Sequence, residues 1–268
     1  MSTILFDKAV FGPVRSRRLG LSLGINLLPT NGKVCSFDCL YCECGFNRKA
    51  EGEGAAHERP VLPTRLNVSR ELTHVLKKML ADGEEPDVIT FAGNGEPTLH
   101  PDFAAIVDDT LELRDQYAPN ARVCVLSNAT RLSHPDVAHA LSMVDEAILK
   151  IDSGREETIM MLDRPNGSYS LEEVVDNIVT HREALGDALT IQTMFVSWTL
   201  DGVTYDNTCP EDVEPWMEIL QRIRPPRLMI YTIDRETPYK EMSKTPKATL
   251  DGIAERAREV VPEVSVAY

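Results

Sequence analysis

Short apolar runs rich in β-branched residues alternate with amphipathic segments along most of this chain. Near-continuous apolar stretches at Ser22–Leu28, Asp87–Phe91, Arg122–Leu126, Ala147–Ile151, Leu189–Val196 and Arg227–Tyr231 predict strands. Strands covered on both faces, as in a parallel sheet, read this way. A further strand is predicted at Val264–Ala267. Between them the spacing turns helical. Leu72, Val75, Leu76 and Met79 fall at i, i+3, i+4 and i+7, one face of a helix. Leu171, Val174, Val175 and Ile178 repeat that spacing behind a Ser170–Glu173 capping box. Helices are also predicted over Phe103–Gln116, Asp136–Leu141, Glu156–Leu162, Val213–Arg222 and Leu250–Val260. The last is N-capped by Thr249 and ended by Pro262. Ser133 and Asp136 form a second capping box around His134.

Strand–helix alternation predicts a parallel sheet with right-handed crossovers, an α/β fold. Six units are too few for a closed eight-fold barrel. An open, partial (β/α)6 barrel or a doubly wound sheet remains, and in both the chemistry sits at the strand C-terminal ends. The pattern reads as a single domain over residues 1–268. Its core covers about 11–231, with a C-terminal helix and strand in 245–268. Asn47 to Asn67 has no period and is rich in Gly, Ala, Glu and Pro, which predicts a long irregular loop. Leu200–Asp212 is a second irregular stretch.

Charge narrows the partners. The 268 residues carry 28 Lys and Arg against 42 Asp and Glu, a net charge of −14. That balance counts against broad nucleic-acid binding, which rewards basic residues. Arg15, Arg17 and Arg18 form one local positive patch. They suit an anionic substrate group or partner, or salt bridges to the acidic surface. No apolar run approaches the roughly 20 residues that span a membrane. Asp7 and Lys8 interrupt what would be the apolar core of a signal peptide, so a reducing, cytoplasmic setting is expected.

In that setting clustered cysteines point to metal or catalysis. Of the six cysteines, four lie between Cys35 and Cys44; Cys124 and Cys209 stand alone and are expected in the core. Cys35, Cys39 and Cys42 are spaced C-x3-C-x2-C. A compact loop can point three such thiolates at three corners of an iron–sulfur cube, which normally takes four. The fourth iron is then open to a substrate. A structural zinc site usually draws on two separated cysteine pairs, and no distant pair exists here. His57 is near in sequence, but a lone loop histidine is more often only solvated. A closed site would need Cys44 as fourth ligand.

C-x3-C-x-aromatic-C after the first strand of an α/β chain resembles the radical S-adenosylmethionine (SAM) superfamily. The resemblance implies a partial barrel, a [4Fe-4S] cluster on Cys35, Cys39 and Cys42, and SAM on the unique iron. Reductive cleavage of SAM would give a 5′-deoxyadenosyl radical that abstracts hydrogen from substrate. It also implies an electron donor such as flavodoxin or ferredoxin. Phe11–Gly20 (FGPVRSRRLG) and Gly93–Pro101 (GNGEPTLHP) resemble, in addition, the Fe–S oxidoreductase branch related to the wybutosine-synthesis enzyme TYW1.

The resemblance assigns SAM contacts residue by residue. Tyr41 takes the aromatic position near the adenine. Gly95 and Glu96 match a Gly-Gly-Glu motif that holds the SAM amino group, with Asn94 in place of its first glycine. Ser127 and Asn128 suit sugar hydroxyls, or an Asx turn. Lys150 and Asp152 share one face of their strand. They suit the SAM carboxylate, the ribose or the substrate, or else a buried ion pair. Gln192 follows on the next strand. No catalytic residue beyond the cluster is assigned, and the substrate is open. The alternatives are wybutosine-type tRNA chemistry, a glycyl-radical activase, and a zinc-binding or electron-transfer module without SAM. That TYW1 family has cysteines for a second cluster upstream of the motif, whereas the first cysteine here is Cys35.

Overall fold

The computed structural model describes residues 4–16, 19–47 and 61–268. Arg17, Arg18, His57 and most of the predicted long loop lie outside the described residues. Strands β1 (Val10–Ser16) and β2 (Gly20–Ile25) open the fold as an antiparallel hairpin. Then come α1 (Arg65–Ala81), β3 (Val88–Phe91), α2 (Phe103–Tyr117), β4 (Arg122–Ser127), α3 (Pro135–Met143) and β5 (Glu146–Lys150). Helices α4 (Glu156–Leu162) and α5 (Leu171–Leu185) follow, then β6 (Leu189–Met194) and a hairpin of β7 (Val196–Leu200) and β8 (Val203–Asp206). The chain finishes through α6 (Pro210–Ile223), β9 (Arg227–Tyr231), β10 (Met242–Lys244), α7 (Lys247–Ala257) and β11 (Glu263–Ala267).

The main sheet runs in the order β1-β2-β3-β4-β5-β6-β9-β11, and every pairing after β1–β2 is parallel. The order never reverses. A doubly wound sheet needs a reversal, so the fold is the partial barrel. Successive helices pack side by side, α1 on α2, α2 on α3, α3 on α5 and α5 on α6. Outward strand residues such as Ile25, Phe91, Val125, Leu149 and Ile191 bury against Leu72, Leu76, Ile106, Leu141 and Ile178 of these helices. Each such burial stabilises by about 1.5–3 kcal/mol. On the other face, Val88, Cys124, Ile148 and Met229 pack together with Leu19. Farther along the strands that inner face turns polar. Ser22 and Thr90 share a 2.9 Å hydroxyl hydrogen bond, and Lys150 pairs in register with Gln192.

Several boundaries differ from expectation, each for a local reason. The strand expected to run to Leu28 stops at Ile25, because the Asn26 side chain bonds both the N–H and the carbonyl of Leu28. β1 is an unforeseen strand; Gly12 and Pro13 interrupt its apolar alternation, and its pairing carries an irregularity between Phe11 and Val14. The helix after the long loop begins at Arg65, capped by Thr64, so residues 65–67 are its first turn. The strand expected over Leu189–Val196 breaks after Met194, and Val196 begins a separate sheet in the order β10-β7-β8. Leu200–Asp212 is that sheet's hairpin and the start of α6. The α7 N-cap is Pro246, three residues before Thr249, and α3 is entered from His134 without a side-chain cap. Cys124 is fully buried, but Cys209 is half-buried at the α6 N-cap, where its thiol donates to Asp212 at 3.1 Å.

Candidate active site

The cysteine loop crosses the C-terminal ends of β3 to β5 and is docked on three sides. Val34 forms a parallel bridge with Gly95: Val34 N donates to Asn94 O at 2.9 Å and Glu96 N to Val34 O at 3.2 Å. Gly95 has φ +139°, and a Cβ there would stand 1.8 Å from Val34 O. Only glycine fits. On the second side Leu40 N donates to Leu162 O and Asp38 N to Asp163 O, both at 2.9 Å, while Asn166 N donates to Ser36 O at 2.7 Å. On the third, Asn128 Nδ2 donates to Ser36 Oγ at 2.7 Å. Asn47 closes the loop on itself. Its Oδ1 accepts from Cys35 N at 2.9 Å, and its Nδ2 donates to Cys35 O and Phe37 O.

The four thiols have different surroundings. Cys35 Sγ accepts from Phe37 N at 3.4 Å and lies 3.8 Å from Asn128 Nδ2. Burial pushes its pKa up to about 12, helped by the Glu96 carboxylate. Cys39 is buried, which raises its pKa, and Lys150 Nζ opposes the rise from 3.4 Å. Cys42 is held down to about 6 by a hydrogen bond from Cys44, with the Lys33 charge acting in the same direction. Cys44 is pushed up, chiefly by that same hydrogen bond and then by burial, and its Sγ lies 3.1 Å from Gly93 O. The Cys44 thiol thus has a backbone partner on the loop after β3. Among the described residues no three His, Cys, Asp or Glu side chains are gathered closely enough to hold one metal ion. A cube, which offers a separate iron to each thiolate, suits three spaced cysteines.

Beside Cys39 lies a buried charged group. Lys150 is ion-paired to Asp163 and, at 3.2 Å, to Asp152. Its ammonium stands over the rings of Phe37 and Tyr41, 4.9 and 5.2 Å from their centroids. The Tyr41 hydroxyl donates to Asp152 and approaches Asp163 at 3.3 Å. Burial opposes the charge on Lys150, but the two carboxylates outweigh it and raise its pKa. Burial pushes Asp152 up to about 7, with Lys150 pulling the other way. Lys150 and Asp152 share the inner face as expected, while Ile151 joins the outer core. Gln192 sits alongside, its Nε2 3.5 Å from Met229 Sδ.

Glu96 is almost wholly enclosed. Its Oε1 accepts from Thr98 N, Thr98 Oγ1 and Ser127 Oγ, and its Oε2 from Asn128 N at 2.8 Å. This carboxylate ties the β3 loop to the end of β4. Asn128 also closes the expected Asx turn, its Oδ1 accepting from Thr130 N. Asn94 is a latch. Its side chain bonds both backbone groups of Phe6 and the carbonyl of Pro29, and its backbone N–H donates to Asn26 Oδ1 at 3.0 Å.

Three contributors escaped the sequence reading. Asp163 ends α4, and only the fold brings it to Lys150. Asn47 marked only the start of an irregular loop. Lys33, buried beneath the loop, donates to Gly45 O at 3.1 Å and lies 3.5 Å from Asp38 Oδ1. Its place two residues before Cys35 was the one available signal. Arg15 is exposed on β1. An open cleft lies beyond Tyr41, lined by Glu43, Met194, Tyr231, Ile233 and Arg235.

The family model described as "Radical SAM superfamily" matches residues 32–209. Among curated proteins, a UPF0026 protein of Synechocystis sp. is 30% identical over 86% of this chain and 77% of its own length. A protein named GTPase Obg from Brachyspira hyodysenteriae is 28% identical over 87% of this chain, which spans only 31% of that protein. Among solved structures, a radical SAM methyltransferase from Sphaerobacter thermophilus superposes with a TM-score of 0.63 at 14% identity, over 92% of this chain and 66% of that one. TYW1 with a lysine-pyruvate adduct bound gives 0.58 at 13% identity, over 90% of this chain and 74% of that one.

Proposed function

This chain belongs to the radical SAM superfamily and, within it, stands with the UPF0026 proteins; from that premise we propose that Cys35, Cys39 and Cys42 hold a [4Fe-4S] cluster at the mouth of the partial barrel. It is an enzyme that uses S-adenosylmethionine. The observation that carries the proposal is the placement of the thiols at the strand ends, Cys35 Sγ 3.8 Å from Asn128 Nδ2 and Cys39 Sγ 3.4 Å from Lys150 Nζ. Three sit on one docked loop facing polar strand ends, and the fourth, Cys44, is turned to Gly93 O. When bound, such a cluster supplies an electron to the SAM sulfonium and so yields a 5′-deoxyadenosyl radical for hydrogen abstraction from substrate.

The chain's own residues position SAM. Tyr41 offers a ring beside the cleft, where an adenine can stack. Ser127 and Asn128 stand at the end of β4 for hydroxyl groups. Lys150, Asp152 and Gln192 offer one cation, one carboxyl and one amide from adjacent strands. The Glu96 carboxylate already accepts four hydrogen bonds, so we assign it a positioning role: it ties Thr98 of its own loop to Ser127 and to the backbone of Asn128. The electron comes from a low-potential one-electron donor of the flavodoxin or ferredoxin class. An anionic group on the substrate is the chemistry that Arg15 suits.

Anaerobic reconstitution with iron and sulfide tests this. The expected result is about four irons per chain. Dithionite with SAM should then release 5′-deoxyadenosine. Cys39→Ala should lose the cluster, and Cys44→Ala should keep it. A cluster that persists in both variants, or never cleaves SAM, overturns the proposal.

A further inference from the structure

Lys33 lies at the centre of the cysteine loop, yet no SAM contact is assigned to it. Its side chain is 1% exposed. Desolvating an ammonium is costly unless opposite charge lies close. The structure supplies that charge unevenly. Asp38 stands 3.5 Å away, and its Oδ1 is shared with Asn47 N at 2.7 Å. Gly45 O takes one ammonium hydrogen. Cys42, Cys39 and Cys35 of the same loop act on it electrostatically. Lys150, by contrast, has two carboxylates of its own. Lys33 is thus an enclosed cation on the cysteine loop itself, paired there with the Asp38 carboxylate.

We propose that Lys33 is a fixed countercharge that raises the reduction potential of the cluster held by Cys35, Cys39 and Cys42. This rests on the cluster reading above. One electron from an external low-potential donor adds one negative charge beside three thiolates, and no proton need move. A cation enclosed at that point favours the reduced state, because Coulomb attraction is weakly screened in a buried site. Asp38 acts in the opposite direction on the same couple. Lys33 is thus a positioning residue that acts through charge, touching neither SAM nor substrate.

The test is a redox titration of the reconstituted holoprotein, with mediators and without substrate, followed by electron paramagnetic resonance. Replacing Lys33 by Met keeps the length and removes the charge. The reduced-to-oxidised ratio at a fixed poise should fall at least tenfold, which is about 59 mV for a one-electron couple. Lys33→Arg should stay near wild type. Asp38→Asn should shift the midpoint upward. A purely structural role predicts no such opposition of sign. If Lys33→Met fails to hold iron, the Asp38→Asn shift carries the test. A Lys33→Met cluster at the wild-type potential, or an unmoved or lowered Asp38→Asn potential, overturns the inference while leaving the cluster reading intact. A wild-type chain that binds no iron overturns the cluster reading and this inference together.

Discussion

Two buried lysines bring positive charge to the cysteine loop from opposite sides. Lys33 comes from the loop itself and Lys150 from the end of β5. Around Lys150 one cation meets two carboxylates, so the group carries an excess of negative charge and one carboxyl resists ionisation. That carboxyl is Asp152, pushed by burial from 3.8 up to about 7. A folded-state pKa above the unfolded value means that the fold binds the extra proton. The stabilisation is complete below pH 3.8 and is lost as pH rises through about 7. Urea unfolding of the apoprotein should therefore show a stability that declines over that window. Asp152→Asn, which cannot titrate, should flatten the decline. An unchanged slope in the variant would remove Asp152 as its source.

At the scale of elements, the N-terminal segment and strand depend on a few side chains. Phe6 and Phe11 stack with centroids 3.6 Å apart. The Phe11 ring lies over Gly24, where a Cβ would come within 2.1 Å. Asn94 holds Phe6 by both backbone groups and also ties down Pro29. An Asn94→Gly substitution restores the glycine of the related motif and deletes these bonds. It should cost about 2–4 kcal/mol, because buried backbone partners are left unsatisfied. Hydrogen exchange should show the amides of β1 and of residues 28–34 losing protection first. Uniform loss over the whole sheet would instead mean that Asn94 supports the fold globally. The same contacts explain a departure from the Gly-Gly-Glu pattern that the sequence alone left unexplained.

Across the whole molecule, the strand ends gather the site, and net charge bears on what can approach it. The structural likeness to TYW1 is a likeness of fold at 13% identity. A net charge of −14 opposes a polyanion. Filter binding with tRNA should accordingly be weak in 50 mM salt, about the lower end of the usual titration range, and should change little as salt is raised. A steep salt slope would restore wybutosine-type chemistry as the leading substrate class. Among the described residues no helix is long and apolar enough to cross a membrane.

The residue order by itself determined the parallel α/β alternation, the positions of the parallel strands to within a few residues, and the cysteine spacing. Those features are local. Periodicity records which face of each element is buried, and C-x3-C-x2-C is written within a single loop. It also placed Lys150 and Asp152 on one strand face, because alternation along a strand is a local rule. Only the tertiary structure decided what lies beyond the reach of periodicity. It brought Asp163 from the end of α4 to Lys150, joined Glu96 to Ser127 and Asn128 at the end of β4, and turned Cys44 toward Gly93. It also split the fifth expected strand at Met194, where Asp152 and Asn207 take the backbone hydrogen bonds that a longer strand would have used. Each of these joins residues far apart in sequence, and no short-range pattern encodes which distant partner a buried polar group will find.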